Sequence, residues 1–311
     1  MSASRGPSLG ASSLVGPVAA PASALSGVRR VAADYFELTK PKVQSLLLFT
    51  TVATMEVAGN PPVSKIALTC LGGYLSAGGA GAINHYWDRD LDAQMKRTAS
   101  RPVPAGRIAP RAALTFGLAL CGLSFLVLSV FVNLLAAVLA LAGFLGYVGV
   151  YTMWLKRRTP QNIVIGGAAG AMPPLVGWAA TRGSLSWTAV YLFAIVFYWT
   201  PPHFWALSLL MKDEYQKVSV PMMPVARGER ETRRQIVLYT LLLYAITQLP
   251  FCAGGFGFIY LGASVTLGLG FLAGAIWLYR RADRRTALRL YLFSLAYLAL
   301  LFGAMVADAK L

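Results

Sequence analysis

Long apolar runs alternate with short polar stretches along most of this chain. The runs fall at 43–59, 65–86, 111–131, 133–155, 161–181, 187–211, 235–254, 256–279 and 286–307. Each is long enough to cross a hydrocarbon core of ~30 Å as a helix. Lipid offers exposed backbone amides and carbonyls no partner, so such spans must be helical. The pattern predicts an all-α integral membrane protein with nine transmembrane helices, forming one polytopic domain over 34–311. The first 33 residues contain Ala, Ser, Gly, Pro and Val, with Arg5, Arg29 and Arg30 as the only charges. They hold no apolar run suited to a signal peptide, and their Gly and Pro oppose an amphipathic transit helix, so 1–33 reads as a flexible tail.

Composition sharpens this picture. Of 311 residues, 57% are hydrophobic and 13% charged, against roughly 25% charged in a soluble domain, which excludes an ordinary soluble protein. A formal charge of +16 raises nucleic acid as a partner, but the basic residues are confined to short stretches between apolar runs, a membrane-topology pattern. Alternate connections, counted from the N-terminal stretch, hold 25 of the 28 Lys and Arg, and the remaining connections hold 3. The positive-inside rule then places the N-terminus and basic loops on the cytoplasmic or matrix side and the C-terminus on the other, which requires an odd number of spans. A bacterial plasma membrane is expected ahead of a mitochondrial inner membrane, and no nucleic-acid partner is expected. Cys70, Cys121 and Cys252 lie singly inside apolar runs and read as small core residues. Gly-rich stretches at 72–73, 78–81 and 166–170 read as sites of close helix packing.

The acids gather on the basic face. Of 12 Asp and Glu, seven (Asp88, Asp90, Asp92, Asp213, Glu214, Glu229 and Glu231) lie after the second and sixth runs, and carboxylates beside hydrocarbon mark functional sites. Asn84, Asp88 and Asp92 are spaced i, i+4, i+8, which places three oxygen-bearing side chains on one helix face. Hard oxygen ligands suit Mg²⁺, which takes one or two carboxylates and completes its shell with water and substrate phosphates. A solvated helix end neutralised by nearby cations is the competing reading, and an Asn inside the apolar helix speaks against it. Asp90 falls on the opposite side, for pairing with Arg89 or a loop cation. The loop from Lys96 to Arg107, stiffened by Pro102 and Pro104, brings cations close to these acids, as a trapped polyanion requires. Arg97 and Arg101 are the first choices for diphosphate contact, whereas Arg107 and Arg111 read as topological charges.

Two further regions meet the same face. The sixth run ends in Lys212, Asp213, Glu214 and Tyr215, a candidate second cation or diphosphate site with Asp213 favoured over Glu214. At the end of the fourth run, Tyr147 and Tyr151 precede Lys156, Arg157 and Arg158, which either reach a diphosphate or anchor topology. His85 and His203 are the two histidines, each a candidate for a buried hydrogen bond or for a haem contact, with His203 ahead.

On these residues the chain resembles the UbiA superfamily of intramembrane prenyltransferases, whose first metal motif NxxxDxxxD is matched by Asn84, Asp88 and Asp92. Four segments resemble its haem-farnesylating branch: LTKPKV at 38–43, NHYWDRDLDAQMKRTASRPVPAGRI at 84–108, YTMWLKRRTPQNIVIGGAAGAMPPLVGW at 151–178 and TPPHFWALSLLMKDEYQKVSVPMMPVARGE at 200–229. The likeness implies a helical bundle around a central lipid-accessible cavity capped by basic-face loops. It also implies Mg²⁺ as cofactor, farnesyl diphosphate as donor, haem b as acceptor, water addition to give haem O for terminal oxidase assembly, and a downstream haem A synthase. Asn84, Asp88, Asp92, Arg97 and Arg101 then become catalytic, with Asp213 as a further metal ligand. Lys156, Arg157 and Lys212 join Arg97 and Arg101 on diphosphate, and His203, Tyr147, Tyr151, Trp199 and Phe204 face prenyl or haem. The superfamily's second motif, DxxxD, is not matched, because Lys217 stands four residues after Asp213 and the neighbouring acid is Glu214. Rival readings are a relative acting on an aromatic acid, quinone precursor or chlorophyllide, and a transporter. Acids gathered at one face, with basic loops beside them, weigh against transport.

Overall fold

The computed structural model describes residues 24–311, and every regular element among them is a helix. The expected tail therefore lies outside the described residues up to position 23, while 24–33 open helix α1 (Ala24–Leu38). Residues 27–33 are exposed there, and contact with the bundle begins at Asp34. Leu38 and Asp34 are buried, the Tyr35 ring meets Phe116 at 4.9 Å, and Asp34 accepts from Arg107 Nε at 2.8 Å, so one face of α1 docks on the bundle.

The remaining helices follow the apolar runs: α2 (Pro41–Ala58), α3 (Val63–Trp87), α4 (Arg89–Gln94), α5 (Pro110–Phe131), α6 (Leu134–Leu145) continued by a π-helix (Gly146–Leu155), α7 (Asn162–Gly170), α8 (Met172–Arg182) and α9 (Trp187–Leu210). The short α10 (Lys212–Lys217) and α11 (Met223–Ala226) lead into α12 (Gly228–Cys252), α13 (Phe258–Arg281) and α14 (Arg284–Lys310). Seven helical stretches are long and apolar enough to cross a membrane by length and composition, so the chain is a multi-pass membrane protein. The expected nine spans include two that do not meet that standard. Helix α2 carries Lys42, Glu56 and a row of threonines, and α9 carries Tyr, Trp, Pro and His among its aliphatic residues.

Packing explains how the site is held. Helix α9 runs through the main core, where Leu192, Ile195 and Trp205 are fully buried with Tyr260, Phe271, Tyr297 and Phe302 from α13 and α14. Helices α3 and α5 approach so closely that a Cβ on Gly79 would stand 2.6 Å from the Gly117 carbonyl oxygen, which bears out the packing role read for this glycine stretch. The run at 161–181 is broken into α7 and α8 at Ala171, because Pro173 and Pro174 occupy the first turn of α8 and lack amide donors.

Candidate active site

Helix α3 ends at Trp87, and Asp88 stands at the junction with α4. The i to i+4 backbone bonds nevertheless continue through the junction, Asp88 N to Asn84 O at 2.9 Å and Asp92 N to Asp88 O at 2.8 Å. The three oxygen-bearing residues therefore keep one face, as their spacing predicts. Asn84, Asp88 and Asp92 are all buried, Asp88 completely. Asn84 Nδ2 donates to Asp88 Oδ2 at 2.7 Å and lies 3.3 Å from Thr152 Oγ1. Lys156 Nζ also donates to Asp88 Oδ2, Arg101 pairs with Asp92 Oδ2 at 2.7 Å, and Lys40 Nζ donates to Asn84 Oδ1 at 2.6 Å.

Against these groups lies a cavity of ≈130 Å³ at the basic end of the bundle; Asp88, fully buried, does not line it. Asn84, Asp92, Arg97, Arg101, Lys156, Tyr147 and Tyr151 line it, as do Lys40, Leu91, Met95, Tyr215 and Val220. Lys40, which the sequence offers only as one residue of the LTKPKV segment, is a lining residue that sequence reasoning does not single out. Burial, with repulsion from Arg101 and Lys156, pulls the Lys40 ammonium down to about 7. Four basic side chains, Lys40, Arg97, Arg101 and Lys156, line the cavity against one carboxylate, Asp92, the balance a polyanion site requires.

The π-helix sets the opposite wall. Its i to i+5 bonding runs through Lys156 N to Tyr151 O at 2.9 Å, so Tyr151 and Lys156, five residues apart, face the same cavity as Tyr147. The Tyr147 and Tyr151 rings lie 5.4 Å apart, centroid to centroid. Room for Tyr151 comes from Gly166 on α7, where a Cβ would stand 2.4 Å from Tyr151 Cδ2. Above the cavity, Glu214 Oε2 accepts from the Lys96 amide at 3.0 Å, tying the loop after α4 to α10.

Other expected residues lie elsewhere. Arg157 forms a bidentate pair with Asp90, 2.7 Å to each oxygen, and reaches Asp88 Oδ1 only at 3.5 Å. The shared hydrogen bonds lower the Asp90 pKa and raise that of Arg157. Asp90 therefore pairs with a loop cation, not Arg89. Arg107 holds Asp34 and the Ser100 carbonyl, a structural role beyond topology. Lys212 and Asp213 are not brought to the Asn84 cavity. They line a second one of ≈280 Å³ between the basic ends of α9, α12, α13 and α14, so the short α10 turns Asp213 away while Tyr215 lines the first and Glu214 holds the Lys96 amide. His203 is buried against α14, with Nδ1 2.7 Å from Ser294 Oγ and its ring stacked on Trp199 at 4.3 Å and Tyr291 at 4.8 Å. Trp199 Nε1 donates to the Ser294 carbonyl at 2.8 Å, and Phe204 is exposed on the helix exterior. None of these three lines the Asn84 cavity. His85 is buried with neither ring nitrogen hydrogen-bonded.

The donor set fits a hard divalent cation. Asp88 Oδ1 is buried without a hydrogen-bond partner, with Arg157 Nη2 at 3.5 Å, and Asn84 and Asp92 each lie one turn away on the same helical row. Among the described residues no group of three or more His, Cys, Asp or Glu gathers as a metal cluster. A cation here must therefore take water or ligand oxygens as well, the habit of Mg²⁺.

Residues 46–301 match the UbiA prenyltransferase family. The chain is 54% identical to a protoheme IX farnesyltransferase of Chloroflexus aurantiacus, over 92% of this chain and 50% of the relative. It is 53% identical to one of Symbiobacterium thermophilum, over 90% of this chain and 95% of the relative. It thus spans about half the length of the first relatives and nearly all of the second. Among solved structures, digeranylgeranylglyceryl phosphate synthase superposes with a TM-score of 0.76 at 20% identity, covering 91% of this chain and 100% of that one. A UbiA homologue from Archaeoglobus fulgidus bound to GPP and Mg²⁺ gives 0.61 at 14%, covering 89% and 100%. These two establish likeness of fold. With the family match spanning nearly all of the helical bundle, this chain belongs to the UbiA prenyltransferase family.

Proposed function

We propose that the chain transfers a farnesyl group from farnesyl diphosphate to a vinyl group of haem b and that water adds to the product, giving haem O. The observation that carries this reading is one cavity lined by Asn84 and Asp92, with Asp88 buried behind it on the same helical row, by the basic side chains Lys40, Arg97, Arg101 and Lys156, and by two tyrosine rings. The acceptor and prenyl chain are those of the relatives' printed names. Asn84, Asp88 and Asp92 would hold Mg²⁺, which supplies Lewis-acid neutralisation of the departing diphosphate. Lys156 and Arg101, paired with the carboxylates here, are poised to move onto diphosphate oxygens together with Arg97 and Lys40. The farnesyl C1–O bond breaks and its electron pair leaves with the diphosphate. Tyr147 and Tyr151 present ring faces to the allylic cation. The vinyl π-electrons form the new C–C bond, water adds to the resulting cation, and a proton leaves to solvent. Function belongs on the cytoplasmic side of a bacterial plasma membrane, upstream of haem A synthase, and the lipid bilayer is the working environment.

Purified protein assayed for diphosphate release tests this reading. Release from farnesyl diphosphate should need both Mg²⁺ and haem b. Release supported equally by 4-hydroxybenzoate in place of haem b would assign a different acceptor, and an absence of release from folded protein would reject the reaction class.

A further inference from the structure

The second cavity shares no lining residue with the first. Its floor is apolar, made by Leu209, Leu210, Leu278 and Ala287, and its rim carries Lys212, Arg233 and Arg284 beside Asp213, Glu229 and Asp283. The acids are largely occupied. Glu229 accepts from Lys212 Nζ at 3.0 Å and lies 3.3 Å from Arg233 Nη1, while Asp283 caps α14 through the Thr286 amide at 2.8 Å and hydroxyl at 2.9 Å. Two donors remain. Arg284 has no ion pair among the described residues, and Arg233 Nε is buried without a partner in a side chain only 13% exposed. Around them the basic ends of α12, α13 and α14 carry nine arginines (227, 230, 233, 234, 280, 281, 284, 285 and 289) against three acids, Glu229, Glu231 and Asp283.

Topological charges do their work fully solvated. A guanidinium sunk between helices with an unsatisfied Nε costs free energy unless something accepts from it. We propose that this cavity binds the headgroup of an anionic glycerophospholipid from the leaflet on the basic face. Arg233 and Arg284 hold the phosphodiester, and the leucine floor, continuous with the membrane-spanning helices, receives the glycerol and the first acyl carbons. A free phosphate dianion would meet Asp213 and leave that floor against water. A singly charged diester with an apolar tail satisfies both parts of the site.

Native mass spectrometry of the full chain, released from detergent supplemented with phosphatidylglycerol or phosphatidylcholine, tests the site, with thermal shifts against the same lipids and inorganic phosphate. Phosphatidylglycerol adducts should survive at collision energies that strip phosphatidylcholine, and phosphatidylglycerol alone should raise the melting midpoint. Arg284→Gln should weaken its apparent affinity about fivefold, since an arginine near an anionic surface contributes on the order of one such factor; Arg233→Gln should add a similar loss. Ala287→Trp, which fills the cavity from α14, should abolish selectivity and serves if Arg233→Gln fails to fold. Farnesyl diphosphate KM should be unchanged in Arg284→Gln, separating this site from the catalytic one. Equal retention of both lipids, undiminished phosphatidylglycerol binding in Arg284→Gln and Ala287→Trp, or an equal shift with inorganic phosphate would each overturn the proposal.

Discussion

Replacing Asp88 by Asn removes one charge and almost no volume at a completely buried position. Asp88 accepts from Asn84 at 2.7 Å and from Lys156, with Arg157 at 3.5 Å, so the substitution strands the Lys156 ammonium. Removing one partner of a buried pair costs about 3–5 kcal/mol. The Lys156 side chain is 17% exposed and borders the cavity, which lets it turn to water, so the lower end, about 3 kcal/mol, is expected. Adding Lys156→Met removes the stranded cation, and the double variant should recover to within about 1 kcal/mol of the parent. Activity should behave differently. Loss of a preorganised electrostatic group at the reacting centre is expected to cost about a thousandfold in turnover, roughly 4 kcal/mol, and the double variant should stay as inactive as Asp88→Asn. Thermal melts in detergent and initial rates of diphosphate release under metal-buffered conditions measure the two quantities. Turnover within tenfold of the parent for folded Asp88→Asn, or a double variant no more stable than the single one, would refute the reasoning.

Arg101→Ala should raise KM for farnesyl diphosphate tenfold or more, since a charge-assisted hydrogen bond contributes about 1.5–3 kcal/mol, and Arg101→Lys should restore only part of it in steady-state kinetics. Deleting Val150, exposed within the π-helix, rotates the following chain by about 100°. It should lower turnover at least as far as Lys156→Met while circular dichroism keeps its helical signal. Gly177→Ala places a Cβ 2.5 Å from the Thr51 carbonyl oxygen and should destabilise the α2–α8 contact by about 1–3 kcal/mol, read as a lower melting midpoint with substrate affinity retained.

The helices were legible because a hydrocarbon solvent leaves the backbone one solution, and the Asn84 row was legible because its spacing survives the break at Asp88. What escaped depends on backbone geometry or distant partners. Tyr151 and Lys156 share a wall through π-helical bonding, where α-helical spacing would set them about 140° apart around the axis. Lys40 joins Asn84 across 44 residues, and nothing local distinguishes it from Lys42. Asp213 and Glu214 are adjacent, so sequence cannot say which one turns to the loop after α4; the turn of α10 gives Glu214 to the Lys96 amide and Asp213 to the second cavity. His203 and Trp199 stand beside polar residues in a run, a pattern that burial against Ser294 satisfies without a ligand.

Mass spectrometry of haem extracted after incubation of the purified protein with haem b, farnesyl diphosphate and Mg²⁺ tests the central claim most directly. The account predicts a product heavier than haem b by one farnesyl group plus water, absent when EDTA replaces Mg²⁺ and absent with Asp88→Asn. Unchanged haem with folded, metal-loaded protein would contradict it.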